Sequence, residues 1–249
     1  MACDVLFRDD WICAICKPPG MFVHPSGLDR NVRDCRTELE RSLGQRVFNV
    51  HRIDRPASGI VVYALNRECA ADLSLQFRNR TVQKRYLAIV RGHVRQDLVC
   101  DEPIPGSRGG RALPAITSVV PLSTSVIPEP VGKFGEGWFS LVMAEISTGR
   151  PHQVRRHLRR MGNPIIGDTE HGDPAQNRFV AGRTGFRRLG LLAYSLECTH
   201  PTLKTGMSFC SGLPDWWREY LNCLELDVPS TLEIARFARS SGEKATFPD

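Results

Sequence analysis

Residues 51–59, HRIDRPASG, place one carboxylate between two arginines, just before a turn of small residues. Asp54 has Arg52 on one side and Arg55 on the other, and nearby cations favour the ionised form of an acid. An ionised carboxylate is a poor proton donor but can act as a nucleophile or a base. The same spacing is also typical of a purely structural Asp–Arg pair, and spacing alone favours that interpretation.

Two arginine-rich segments give the second chemical indication. Residues 150–160, RPHQVRRHLRR, hold five arginines and two histidines without an acid, and residues 178–188 add four arginines. The whole chain has a net charge of +6 and a pI near 9.0. Because protein surfaces usually mix charge signs, these runs favour a polyanionic partner such as nucleic acid over plain solvated faces.

The sequence lacks the motifs of several cofactor-dependent and metal-dependent classes. It has no glycine-rich nucleotide-binding motif, no H-E-x-x-H and no zinc-deaminase signature. Cys13 and Cys16 form a C-x-x-C within an alternating strand pattern, which favours structural thiols over a zinc or redox pair. His152 and His157 are five residues apart, so they point to different helix faces and would not share a metal. We therefore expect neither cofactor nor metal.

The elements around Asp54 follow from apolar spacing. Residues 32–44 predict a helix that Gly44 ends. Residues 59–65, GIVVYAL, predict a buried strand, and residues 67–80 predict a second helix. Residues 84–92, KRYLAIVRG, predict a strand with apolar side chains on both faces, which is typical of a central strand. Tyr86 lies on one of those faces.

The arginine-rich segment 150–160 predicts a helix that Pro151 opens and Gly162 ends. Its polar face would carry charged side chains at helical spacing, namely His152, Arg155, Arg156 and Arg159. Further strands are predicted over 137–147 and as a pair within 190–210, and a helix in PDWWREYL. The fold class is therefore α+β, with a mostly antiparallel mixed sheet flanked by helices. We expect one domain over residues 1–223 and a peripheral tail over residues 224–249.

Four segments, taken in chain order, resemble the motifs of a known family. KPPGMFVHP, HRIDRPASG, KRYLAIVRG and STGRPHQVRRHLRRMGNPIIGD together resemble the RNA pseudouridine synthases of the RluA type. The resemblance covers about residues 5–212. Within it, RRHLRRMGNPIIGDTEHGDPAQNR most resembles the branch that modifies uridine 65 of transfer RNA, the TruC type. One departure is Ala57, where the family usually has threonine.

The resemblance implies a catalytic domain with a central RNA-binding cleft, and a role for each candidate side chain. Asp54 would be the nucleophile or base, Tyr86 would stack on the target uracil, and Arg155 would pair with the Asp54 carboxylate. The substrate-binding candidates are Arg52, Arg55, His152, Arg156 and Arg159. The implied reaction is isomerisation of a uridine to pseudouridine without a cofactor or a metal. The implied partner is transfer RNA, with ribosomal RNA as the alternative.

Two other function classes fit parts of the pattern. A metal-dependent ribonuclease would need further acids around Asp54, and these would have to come from distant segments. A non-catalytic RNA-binding protein would explain the basic helix, but not an acid that repels phosphate. The longest apolar run is too short for a membrane span, and the first ten residues lack a signal-peptide pattern. We therefore expect a cytoplasmic monomer with no membrane partner.

Overall fold

A ten-stranded mixed sheet forms the centre of the computed structural model, which describes residues 3–25, 33–106 and 110–227. The sheet contains the strands β1 (Asp4–Arg8), β2 (Ile12–Lys17), β3 (Phe48–Asn49), β4 (Ser58–Ala64), β5 (Gln83–Arg91), β6 (Leu98–Cys100), β9 (Thr117–Ile127), β10 (Gly137–Ile146), β11 (Leu191–Thr199) and β12 (Gly206–Cys210). A separate hairpin contains β7 (Ile104–Pro105) and β8 (Ala112–Leu113). The helices are α1 (Cys35–Leu43), α2 (Arg67–Asn79), α3 (Gln153–Arg160), α4 (Pro174–Thr184) and α5 (Asp215–Cys223).

The sheet is antiparallel except at one pairing. The strands follow the order β1-β2-β4-β11-β5-β10-β9-β6, with β3 added to β4 and β12 added to β11. Among the described strands, β4 and β11 are the pair that runs parallel, and they are joined through Ser58 and Gly59. The predicted α+β class with a mostly antiparallel mixed sheet is confirmed.

Strand β5 is central, as its two apolar faces indicate. It pairs with β11 on one side and β10 on the other. Tyr86, Ala88 and Val90 pack into one hydrophobic cluster, while Leu87 and Ile89 pack into the cluster on the opposite face of the sheet. Burial on both faces fixes the register of β5, because a one-residue slip would exchange the two sets.

Capping side chains set the limits of the first two helices. The Asp34 carboxylate accepts the Thr37 N–H at 2.9 Å, and the Asn66 side chain accepts the Cys69 N–H at 2.9 Å. These bonds satisfy backbone donors that the first turn of a helix leaves unpaired. Gly44 ends α1 in the left-handed conformation, with φ 67°. Both predicted helices are confirmed.

Helix α3 begins later than the sequence indicates. Pro151 lies in the preceding turn, and His152 is the N-cap residue, with a left-handed φ of 53°. The Gln153 side chain holds this turn, because its oxygen accepts the Thr148 hydroxyl at 2.8 Å and the Arg150 N–H at 3.1 Å. The side-chain bonds of Gln153 therefore set the start of α3, rather than the fixed φ of Pro151.

Strand β9, helix α4 and the hairpin β7–β8 are among the elements that the sequence analysis does not predict. Strand β9 contains Pro121, and its register against β10 shifts at that point, between Leu141 and Val142. Helix α4 has few apolar residues at helical spacing. The hairpin β7–β8 lies within a glycine- and proline-rich stretch that is typical of a loop. In each case long-range packing or pairing overrides weak local preference.

The packed part of the chain continues past residue 223. Leu224 and Leu226 are buried in the cluster beneath α5, and the Leu224 carbonyl accepts the Ser125 hydroxyl at 2.6 Å. Leu224 and Leu226 are therefore part of the core, while Glu225 and Asp227 between and after them are exposed. The rest of the expected tail, residues 228–249, lies outside the described residues. None of the helices in the described part of the chain is long and apolar enough to cross a membrane.

The C-x-x-C pair lies within β2, where residues three apart face opposite sides of a strand. Cys13 and Cys16 are both free thiols. Burial raises the pKa of the Cys13 thiol to about 11, so this side chain stays protonated at neutral pH. The structural interpretation of the pair is therefore favoured over the zinc or redox one.

Gly59 lies at the parallel contact between β4 and β11, and we predict that Gly59→Ala is strongly destabilising. Its φ is +111°, and an added Cβ would lie 2.7 Å from the Ala193 nitrogen and closer still to the Ala193 carbonyl oxygen. Overpacking and backbone strain together should cost at least about 3 kcal/mol in the free energy of unfolding. Urea denaturation measures this.

Gly44→Ala is the matched control, because Gly44 also has a positive φ but an added Cβ would meet nothing within 4 Å. It should cost about 1 kcal/mol, from the left-handed backbone alone. Equal losses in the two variants would show that the β4–β11 contact does not constrain residue 59.

Candidate active site

Asp54 lies in a tight turn that leads directly into β4. The Ala57 N–H donates to the Asp54 carbonyl at 3.1 Å, so the turn is closed by the backbone and needs no hydroxyl at position 57. The fully buried Lys17 ammonium donates to the carbonyls of Arg55 at 3.0 Å, Pro18 at 2.9 Å and Met21 at 2.9 Å. Lys17 thereby ties the Asp54 turn to the end of β2. Burial lowers the pKa of Lys17 to about 8.

The two arginines that flank Asp54 do not pair with it, which corrects the expectation from the sequence. The Arg55 guanidinium donates to the Gly20 carbonyl at 2.9 Å and lies 4.8 Å from the centre of the Phe22 ring. Arg52 is exposed. Within residues 33–106 and the other described segments, neither arginine lies within 4.0 Å of the Asp54 carboxylate.

The partner of Asp54 is Arg155, which lies 101 residues further along the chain on α3. The Arg155 Nη1 donates to Asp54 Oδ2 at 3.2 Å. The same guanidinium binds Asp168 through two bonds, from Nε to Oδ2 at 2.7 Å and from Nη2 to Oδ1 at 2.8 Å. Nη2 also lies 3.3 Å from Glu170 Oε1. The geometry therefore includes the Asp54–Arg155 pair that the resemblance implies.

Arg155 is a buried cation, with 2% of its surface exposed, and the Asp168 side chain is fully buried. Burial alone would lower the pKa of Arg155, but the bonds and charge of Asp168, and then those of Asp54, raise it above its ordinary value. Burial likewise opposes ionisation of Asp168, yet its bond with Arg155 and the His171 N–H holds its pKa below the ordinary value. The pair is therefore charged at neutral pH.

Asp168 and Glu170 are site residues that the sequence analysis missed. Asp168 Oδ1 also accepts the N–H groups of Glu170 at 3.0 Å and His171 at 2.9 Å, so one carboxylate organises the loop after the segment NPIIGD. The ion pair between Asp168 and Arg155 forms only in the folded chain, and no local spacing pattern in the sequence indicates it. The one available signal was an acid placed directly after an apolar segment.

Tyr86 reaches the same site from the central strand β5. The ring is buried, with 9% exposure, and belongs to the cluster that packs against α3. Burial, and then the charge of Asp54, raise the pKa of the Tyr86 phenol above its ordinary value. The phenol is therefore neutral at physiological pH, and it keeps a hydrogen that it can donate.

Asp54, Tyr86 and Arg155 line one cavity of about 550 Å³. Two of the five predicted substrate-binding residues, Arg52 and His152, also line it. Three other predicted residues lie outside its wall. Arg55 is turned toward Gly20, Arg156 points toward the Pro105 carbonyl at 3.5 Å, and Arg159 lines a second depression of about 340 Å³.

Cationic side chains that the sequence analysis did not select complete the cavity wall. They are Arg78, Arg80, Lys84 and Arg150. Lys84 donates to the Thr148 carbonyl at 3.3 Å, and burial lowers its pKa to about 8. His51 is neutral, because burial and then the Lys84 charge lower its pKa to about 3, and its ring accepts the Val62 N–H at 2.9 Å. The cavity therefore combines one paired carboxylate with a basic rim.

A family model described as RNA pseudouridylate synthase matches residues 12–160, which is more than half of the chain and includes Asp54, Tyr86 and Arg155. The chain belongs to the RNA pseudouridylate synthase family. The predicted family is thereby confirmed.

Curated relatives extend this family likeness over nearly the whole chain. The chain is 37% identical to tRNA pseudouridine synthase C of Pasteurella multocida over 92% of its own length and 99% of the relative. It is 39% identical to the protein of that name from Salmonella typhimurium, over 88% of each chain. The Haemophilus ducreyi protein of that name is 38% identical, over 89% of this chain and 96% of the relative.

Two solved human structures share the fold of this RNA pseudouridylate synthase. Human RNA pseudouridylate synthase domain containing 4 superposes with a TM-score of 0.71 at 25% identity, covering 91% of this chain and 95% of that one. Human RNA pseudouridylate synthase domain containing 1 gives a TM-score of 0.74 at 21% identity, covering 99% and 97%. The likeness thus includes the sheet and the helices around the cavity.

Two basic features of this family member serve the fold rather than the cavity. His157 is fully buried and bonds the Thr117 hydroxyl at 2.9 Å and the Glu102 carbonyl at 3.0 Å, so it packs inside the fold and does not line the cavity. Arg183, from the second arginine-rich segment, pairs with Glu129 at 2.7 Å and Glu225 at 3.0 Å. Some of the basic side chains in the two arginine-rich segments therefore stabilise the fold and are not available to bind RNA.

We predict that Asp168→Ala costs about 3–5 kcal/mol in the free energy of unfolding, because it strips the strongest partner from a buried guanidinium. Urea denaturation followed by circular dichroism measures this. Lys204→Ala is the control, since it removes an exposed ion pair with Asp72 of 2.6 Å, and such pairs contribute about 0–1 kcal/mol. A loss at Asp168 no larger than the loss at Lys204 would contradict a stabilising role for the Arg155–Asp168 pair.

Proposed function

We propose that the protein is a transfer-RNA pseudouridine synthase that isomerises uridine 65 with Asp54 as its nucleophile or base. The single observation that carries the proposal is the Asp54 carboxylate, held by a buried guanidinium and facing the cavity that Tyr86 also lines. The name shared by the curated relatives supports transfer RNA as the substrate. The expectation of a monomeric, cytoplasmic enzyme stays part of this proposal.

The reaction breaks one bond and forms another within a single nucleotide. The bond between ribose C1′ and uracil N1 breaks, the detached uracil turns, and C5 bonds to C1′. The C5 proton is then lost, and N1 carries a hydrogen. Asp54 attacks C1′ or removes a ribose proton while the glycosidic bond loosens. No electrons enter or leave, so the step needs no oxidant or reductant.

The uracil has to leave its stack to reach Asp54. A flipped base can stack on the Tyr86 ring, and such contacts contribute about 1–3 kcal/mol each. The basic rim of the cavity, with Arg52, Arg78 and Lys84, suits the phosphates on either side of the flipped nucleotide. Arg156 and Arg159 extend this basic surface beyond the cavity.

The geometry disfavours the two rival classes. A ribonuclease of the two-metal type needs carboxylates that share cations, whereas here the Arg155 guanidinium occupies the position between Asp54 and Asp168. A plain RNA-binding surface gains nothing from an acid within its cavity, because that acid repels phosphate. Ribosomal RNA stays the alternative substrate within the favoured class.

We predict that Asp54→Asn abolishes pseudouridine formation and leaves RNA binding within about threefold of wild type. The amide keeps the shape of the side chain but cannot attack or accept a proton as a carboxylate does. Product is measured by mass spectrometry of digested RNA, and binding by filter retention. Product formation at a rate near that of wild type would remove Asp54 from the mechanism.

The target position is tested with two transcripts of one transfer RNA, the natural one and one with cytidine at position 65. We expect pseudouridine at position 65 in the first transcript and none in the second, because cytidine at position 65 removes the uridine that would be isomerised. Mapping ribosomal RNA incubated in parallel serves as the comparison. Modification confined to ribosomal RNA would replace transfer RNA as the substrate.

We predict that RNA affinity falls by about two- to fivefold between pH 7 and pH 9, because Lys84 loses its charge as the pH rises through about 8. Lys84→Arg keeps its charge over this range and should flatten the profile. Lys17 also has a pKa of about 8, but it binds backbone carbonyls inside the fold. An unchanged profile in Lys84→Arg would assign the pH dependence to another group.

A further inference from the structure

Three side chains beside the cavity bring metal-binding atoms together. His152 Nδ1 lies 3.0 Å from His171 Nε2 and 3.5 Å from Glu170 Oε2. The ligating atoms of all three side chains lie within 4.8 Å of one another. Zinc–nitrogen bonds of 2.0–2.1 Å in a tetrahedron place neighbouring ligand atoms about 3.3 Å apart. The separation of 3.0 Å between His152 and His171 is slightly shorter than this value, and the separation of 3.5 Å between His152 and Glu170 is slightly longer.

The cluster is held in place by the same network that holds Asp54. The Asp168 carboxylate, anchored on Arg155, accepts the backbone N–H groups of both Glu170 and His171. His152 occupies the N-cap of α3 with a φ of 53°, a conformation that costs a residue with a side chain about 1–2 kcal/mol. The three ligands are therefore presented by anchored backbone rather than by a free loop.

The ion pairs of Arg155 also leave one carboxylate oxygen of the cluster for a cation. The Arg155 guanidinium contacts three carboxylates, those of Asp54, Asp168 and Glu170. Glu170 offers one oxygen to Arg155 and the other to His152. The second oxygen of Glu170 is thus placed for an additional positive charge.

We propose that His152, Glu170 and His171 form a Zn²⁺ site at the rim of the cavity, with a fourth position open to water. Two imidazoles and one carboxylate are a ligand set that zinc accepts with an exchangeable fourth ligand. His152 lines the large cavity and His171 lines the second depression, so the ion lies between the two. The site is separate from the chemistry proposed for Asp54, which needs no metal.

The test is a zinc titration of the metal-free protein in competition with a chromogenic chelator. We expect one zinc ion per chain, and a loss of affinity of at least about tenfold in both His171→Ala and Glu170→Gln. His93→Ala is the matched control, because His93 stacks on Trp138 away from the cluster and should leave the affinity unchanged. Thermal unfolding checks that the variants fold, and the largely exposed Glu170 gives an independent variant if His171→Ala does not.

Cobalt substitution distinguishes this site from the free thiols, of which Cys210 is exposed. Cobalt at the histidine–glutamate cluster should show visible bands without an intense thiolate-to-metal absorption. Three results would overturn the proposal: no saturable zinc site, equal affinity in wild type and the two cluster variants, or a thiolate band. The first of these would leave the cluster as a hydrogen-bonded histidine pair.

Discussion

The burial of one guanidinium is the constraint on which the site depends. A charge removed from water is costly unless it is paired and hydrogen-bonded on every side. Arg155 meets this requirement with Asp168 on one edge and Asp54 on another. Arg155 can stay buried only while the Asp54 turn and the Asp168 loop both keep their positions. In return, its bonds hold these two segments together. A single side chain thus joins two segments that are 114 residues apart.

The sheet supplies the rigid frame for that ion cluster. Asp54 directly precedes β4, Tyr86 lies on the central strand β5, and β11 runs between these two strands. The close contact between Gly59 and Ala193 fixes β4 against β11, and Lys17 fixes the Asp54 turn from the other side. Because each support is either backbone or a buried charge, the carboxylate and the phenol have little freedom relative to each other. Such preorganisation lets a carboxylate act without moving other groups at the moment of reaction.

Local signals in the sequence predicted much of this frame, and their physical basis explains both the successes and the failures. Gly44 as a stop signal and the helical spacing of Ala70, Leu73 and Phe77 act over one or two turns, so they predicted α1 and α2 correctly. The side chains of β5 alternate between two apolar faces with a period of two residues, and this pattern correctly predicted a central strand. Helix α4 was missed although Asp173 followed by Pro174 is a helix-start signal, because the helix lacks a regular apolar face. Strand β9 was obscured by Pro121.

The site was predicted in part. The residue types around Asp54 and the resemblance of four motifs led to Asp54, Tyr86 and Arg155, which line the same cavity. The partner of Asp54 was expected among its flanking arginines on charge alone, yet Arg55 is engaged by the Gly20 carbonyl and Arg155 takes that place. Asp168 was missed, because an acid placed directly after an apolar segment is a weak local signal that does not indicate a buried arginine partner. Long-range ion pairs of this kind are properties of the tertiary structure.

The central claim is that a uracil removed from the RNA helix lies between Asp54 and Tyr86, with Arg155 against the carboxylate. The most direct measurement is a crystal structure of the protein bound to a transfer-RNA stem with 5-fluorouridine at position 65, whose C5 fluorine replaces the proton that the reaction must release. The account predicts the fluorinated base inside the cavity, its ribose against the Asp54 carboxylate and its ring on Tyr86. A base still stacked in the RNA helix, with the cavity empty and the RNA bound elsewhere, would contradict it.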